Sequence, residues 1–140
     1  MQYPEQFIGI MRQDLTQYGV EETRTPAEVD QALAEPGTVL VVVNSVCGCA
    51  AGKARPAVGM ALQGDVKPSK AVTVFAGGDI EATKHLRDVH LAGVPPSSPS
   101  MALFKDGKPV FYLHRLEIER RQAPEIAQVL QAAFAQHCNS

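Results

Sequence analysis

The run Thr38-Val39-Leu40-Val41-Val42-Val43-Asn44 constrains this chain more than any other stretch. It is rich in β-branched residues and shows no apolar–polar alternation, so it reads as a strand buried on both faces. A strand of that kind belongs to the middle of a sheet with helices packed on either side. A second continuous run, Ala71–Ala76, suits another buried strand. Between the two, Ala50 to about Leu62 reads as a helix interrupted by Pro56. Strand, helix and strand in that order imply a parallel pair joined by a helical crossover.

The remaining segments are punctuated clearly. Phe7, Ile10, Met11, Leu15 and Tyr18 recur at steps of three and four, which predicts a helix between Pro4 and Gly19. Thr25-Pro26-Ala27-Glu28 combines a Thr-x-x-Glu capping box with proline at the first helical position, and this short helix ends before Pro36-Gly37. Asp79 is placed to cap a helix from about Ile80 to Leu91, ahead of the proline-rich stretch Val94–Pro99. Met101–Phe104 and Val110–His114 flank Lys105-Asp106-Gly107-Lys108, and Asp-Gly between apolar runs predicts a tight hairpin. A last helix, roughly Pro124 to Gln136, carries Ile126, Val129, Leu130, Ala133 and Phe134 on one face. The expected architecture is α/β, a central mixed four-stranded sheet flanked by helices on both faces. A chain of 140 residues suits one domain spanning residues 1–140.

Composition excludes several function classes. Thirteen basic and fifteen acidic residues are scattered, for a net charge of −2, and form no basic stripe, so a nucleic-acid partner is not expected. The longest strongly apolar run, Val39–Val43, is far short of the roughly 20 residues of a membrane helix. Met1-Gln2-Tyr3-Pro4-Glu5 has neither a basic nor an apolar export signal, so the expected location is cytoplasmic. Three cysteines are too few for a disulfide scaffold. In a reducing compartment a close pair points instead to catalysis or metal binding.

That pair is Cys47-Gly48-Cys49, set where the buried strand ends and a helix begins. Free N–H groups and the helix dipole favour a thiolate at Cys47, and Lys53 and Arg55 add positive potential if they face the same side. The thiolate is the nucleophile of thiol–disulfide exchange, so Cys47 is the expected attacking group. Cys49 lies within the first turn, and a bond to Cys47 across one residue requires local distortion, which Gly48 permits. Two other readings stand beside this one. The cysteines could be small buried hydrophobes, or paired thiolates for Cu(I) or zinc, with His137 and Cys138 contributing if the C-terminus folds back. His85, His90, His114 and His137 show no ligand spacing toward the cysteines, so no histidine and no metal is assigned. Cys138 is a possible auxiliary thiol with nothing local to activate it.

The strand, cysteine motif, helix and hairpin together resemble a thioredoxin-like fold. Ser98-Pro99-Ser100-Met101-Ala102-Leu103-Phe104-Lys105-Asp106-Gly107 is similar to the segment around that fold's cis-proline. The resemblance implies a cis Pro99 against Cys47, with Ser98 and Pro99 contacting substrate. Cys-Gly-Cys differs from the Cys-Gly-Pro-Cys of thioredoxins, and the bacilliredoxin family is a closer match over nearly the full length. The stretches that carry it are Asn44–Pro56, Phe75-Ala76-Gly77-Gly78-Asp79, Pro95–Ser100, Phe104-Lys105-Asp106-Gly107 and His137-Cys138. This resemblance implies removal of bacillithiol from mixed disulfides with client proteins, with no bound cofactor and bacillithiol as co-substrate. In it Cys47 takes the bacillithiol, and Cys49 or free bacillithiol resolves the adduct. A general disulfide reductase or isomerase of thioredoxin type and a Cys-x-Cys metal carrier are the alternatives.

Overall fold

Every residue of β2 (Thr38–Asn44) is buried, as its unbroken apolar composition requires. The computed structural model describes residues 2–138. Because side chains alternate along a strand, β2 divides its residues between two cores. Leu40 and Val42 face one core with Met101 and Leu103, while Val39, Val41 and Val43 face the other with Val72, Val74, Ala102 and Phe104. The first core is closed by residues of α1 (Glu5–Thr16), α3 (Arg55–Ala61), α5 (Arg115–Glu119) and α6 (Ala123–His137). The second is closed by α2 (Pro26–Ala34) and α4 (Ile80–His85). Among the described residues no helix is long and apolar enough to cross a membrane.

The sheet is mixed and five-stranded, in the order β1-β3-β2-β4-β5. β3 (Lys70–Phe75) runs parallel to β2 across the crossover, and β4 (Ser100–Lys105) and β5 (Lys108–Leu113) form an antiparallel hairpin beside it. The hairpin turns on Asp106 and Gly107, both at positive φ, the backbone that Asp-Gly supplies. The fifth strand, β1 (Glu21–Glu22), corrects the expected count of four. Two glutamates carry no strand signature; their pairing to β3 comes from tertiary ties. Thr23 donates both its N–H and its hydroxyl to the Thr73 carbonyl, at 2.9 and 3.0 Å.

Three further differences have local causes. Pro56 does not break its helix. A wide π turn, Ala50–Ala54, precedes α3, and Pro56 falls in the first turn of the α segment, where its missing N–H matters little. Asp79 does not cap α4 with its side chain. Its carboxylate accepts two hydrogen bonds from the buried Arg12 guanidinium, at 2.9 and 3.0 Å, and one from the Phe75 N–H. Finally, α5 stands between the hairpin and α6, too short for its periodicity to register in sequence.

Candidate active site

β2 ends in a hydrogen-bonded knot that fixes the departure of the cysteine loop. Asn44 anchors its amide to the Met11 carbonyl at 3.1 Å, and its side-chain oxygen accepts from Ser45 N–H and Arg55 Nη1 at 2.9 and 3.0 Å. Arg55 also donates to the Ser45 carbonyl at 2.9 Å and pairs with Asp14 at 3.0 Å. A buried guanidinium thus grips the two residues just upstream of Val46-Cys47. The Cys47 carbonyl then accepts from the N–H groups of Ala50 and Ala51, at 3.0 and 3.2 Å, which starts the helical path. Helix-start N–H groups therefore gather around Cys47, as its place in the sequence predicts.

The two thiols are free, half-buried and unlike. Burial opposes ionisation of Cys47, but hydrogen bonds from the Ser45 hydroxyl and from the Ala50 and Cys49 N–H groups, with the Arg115 charge, hold its pKa below the ordinary thiol value. Ser45 is oriented for this because its oxygen already accepts the Cys47 N–H at 3.2 Å, leaving its proton for the sulfur. Burial pushes the Cys49 thiol up, and the neighbouring Cys47 and Glu119 push the same way. Cys47 is therefore the thiol of the pair that ionises first. Of the two cations expected to help, Arg55 lies close enough to gain from the Cys47 charge. Lys53 donates to the Glu119 carbonyl.

The Ser98–Pro99 peptide is cis. The antiparallel register pairs Val43 with Ser100, which sets Pro99 level with Asn44 at the strand end from which the cysteine loop leaves. Arg115 links this loop to the cysteines. Its N–H donates to Ser97 Oγ at 3.2 Å, its Nη1 reaches the Ser98 carbonyl at 3.4 Å, and its Nε pairs with Glu119 at 2.6 Å. It also borders an apolar groove of about 450 Å³ lined by Pro95, Ser97, His114, Leu116, Glu117 and Glu119. A larger cleft, about 720 Å³, lies between α4 and residues 92–96 and has no cysteine in its lining.

Cys138 lies apart from this group. α6 packs along the π turn and α3, and Gln131 already reaches Gly64, beyond the end of α3. Cys138 follows seven residues later and tucks against the core instead of returning to the motif. Among the described residues, the cysteines fall in no group of three or more His, Cys, Asp or Glu donors.

A family model described as disulphide isomerase matches residues 3–138. A bacilliredoxin of Salinibacter ruber is 55% identical over 99% of this chain and 82% of its own length. One from Koribacter versatilis is 48% identical over 99% and 95%, and one from Geobacillus kaustophilus 51% over 91% and 87%. The chain belongs to the bacilliredoxin family. As a bacilliredoxin family member it is a thiol–disulfide oxidoreductase. Its fold is that of thioredoxin. The thioredoxin of Malassezia sympodialis superposes with a TM-score of 0.58 at 18% identity, over 85% of this chain and 90% of that one. A thioredoxin variant from Halobacterium salinarum gives 0.54 at 18% identity, with the same coverage. Two contributors to this candidate site escape sequence reasoning. Ser45 had a local signal, a hydroxyl two residues before the cysteine, whereas Arg115 arrives from a helix 68 positions away with none.

Proposed function

We propose that Cys47 is the attacking thiolate of a bacilliredoxin cycle that strips bacillithiol from client proteins in the cytoplasm. The observation that carries this reading is the opposite displacement of the two thiols, Cys47 toward thiolate and Cys49 toward thiol. The Cys47 sulfur attacks the bacillithiol sulfur of the mixed disulfide. A Cys47–bacillithiol disulfide forms, the bond to the client breaks, and the client leaves as a thiolate that takes a proton from solvent. Resolution follows by either of two thiols. Free bacillithiol attacks the adduct and leaves as bacillithiol disulfide. Otherwise Cys49 loses its proton, attacks the Cys47 sulfur and expels bacillithiol, leaving a Cys47–Cys49 disulfide for an external thiol to reduce. The apolar groove beside Arg115 supplies surface for the client, and Ser98 and Pro99, in the loop that Arg115 holds, contact the substrate next to Cys47.

Intact-mass analysis of a bacillithiolated client mixed with each variant tests the cycle. Cys47→Ser should leave the client modified. Cys49→Ala should free the client and retain bacillithiol on Cys47. A Cys47→Ser protein that still cleans the client overturns the assignment of the nucleophile. Equal turnover of glutathione mixed disulfides would move the reading to a general reductase. Stoichiometric metal on the cysteine pair of the purified protein would favour the carrier.

A further inference from the structure

Two histidines converge on one carboxylate on the face of the sheet opposite the cysteines. His85 closes α4, His90 closes the π turn Leu86–His90 that extends it, and Asp30 stands on α2. Both imidazole Nε2 atoms lie 2.7 Å from the same oxygen, Asp30 Oδ1. The three donor atoms are all within 4.8 Å of one another, the single such group among the described residues. We infer that Asp30, His85 and His90 form a binding site for a divalent transition-metal ion of the zinc class.

The donor chemistry selects that class. Imidazole nitrogen and carboxylate oxygen suit zinc and its neighbours, and three protein ligands leave a position for water or an anion. Each neutral imidazole presents the Nε2 lone pair once its proton sits on Nδ1, so the ion replaces the two hydrogen bonds to Asp30 with no net loss of charge from the rings. The rings are held from behind. His90 meets Phe104 edge-on at 6.5 Å and His85 at 5.6 Å between centroids. Their side chains are only 17% and 26% exposed, whereas Asp30 is 53% exposed, so the ion's open position faces solvent. The supporting helices are fixed to each other through Val29, Ala32, Leu33, Ala82 and Leu86. Nearby cations are engaged elsewhere, Lys84 by Asp88 and Arg87 by the Ser97 carbonyl.

The π turn is what makes the site. In an α-helix, residues five apart point about 140° away from each other. Here the Leu91 N–H bonds to the Leu86 carbonyl five residues back, at 2.9 Å, and the widened turn brings His85 and His90 to one side.

The full-length Cys47→Ser/Cys49→Ser protein tests this without competition from the cysteine pair. Dialysed against zinc chloride, it should retain one equivalent of zinc and melt at a higher temperature than the metal-free form. Loaded with Co²⁺, it should show visible ligand-field bands and no thiolate charge-transfer band. His85→Gln or Asp30→Asn in the same background should weaken zinc binding by about tenfold or more and abolish the melting shift. Absence of retained zinc, zinc binding indifferent to both substitutions, or a thiolate band would each overturn the site. Should the variants fail to fold, the imidazole nitrogen resonances of His85 and His90 in the parent protein decide. Movement of both on zinc addition supports the site, and stationary resonances refute it.

Discussion

At the scale of single residues, the two cysteines differ in how readily they ionise. The Cys47 pKa is lowered, so its alkylation by iodoacetamide should rise with pH and level off with an inflection below the free-thiol value of about 8.5. Arg115→Gln removes a positive charge that favours the thiolate, so a pH series should show that inflection displaced upward. An inflection left in place would assign the low pKa to Ser45 and the backbone alone. Cys49 is held as a thiol partly by the charge on Cys47. Capping Cys47 with a small thiol cancels that charge and leaves burial as the main brake on Cys49 ionisation, which favours the resolving attack proposed above. Correspondingly, Cys49 in Cys47→Ser should alkylate faster at fixed pH than Cys49 does in the parent protein, as peptide mass mapping would show. The cysteines were legible because the chemistry is in the residue type and in its place after a strand. Arg115 was not, because an arginine at a hairpin exit is the same letter whether it faces water or a thiol.

Elements with strong local chemistry were legible, and those held by distant contacts were not. Thr25 accepts the Glu28 N–H at 3.2 Å, as its capping motif predicts, while the Glu28 carboxylate reaches back to Arg24 N–H. Thr25→Ala should therefore cost about 1 kcal/mol in chemical denaturation. A change near zero would mean that tertiary packing alone holds α2. The Asp-Gly hairpin and the amphipathic α6 likewise follow from turn chemistry and periodicity. α1 forms where its period puts a helix, but the face is not the expected one: Ile8, Arg12 and Leu15 are buried, Arg12 drawn in by Asp79, while Phe7, Ile10 and Tyr18 are exposed. β1 and the two π turns have no such code. The first is two residues pinned by Thr23 and Glu22. The π turns arise where packing demands one more residue per turn than an α-helix provides. That is why His85 and His90, five apart, read as unrelated positions.

Across the whole molecule, the buried Arg12 ties elements that local sequence keeps apart. It pairs with Asp79, Glu5 and Glu22 at 2.9, 2.6 and 3.0 Å, joining α1 to the end of β3 and to β1. Arg12→Leu leaves the buried Asp79 carboxylate without its partner and should cost about 3–5 kcal/mol. Adding Asp79→Asn should return part of that loss, and a denaturation double-mutant cycle with strictly additive effects would contradict the coupling. The division of β2 between two cores, by contrast, was present in its composition from the start. The strand order has a consequence for any encounter with another chain. A sheet's outermost strands carry unpaired backbone groups that recruit any extended segment they meet. Here one margin is only two glutamates long, and the other carries Lys108 and Pro109 beside a bulge at Leu103 and Phe104. Both borders are poor templates for strand addition, so an extended segment that meets this molecule is not stitched into its sheet.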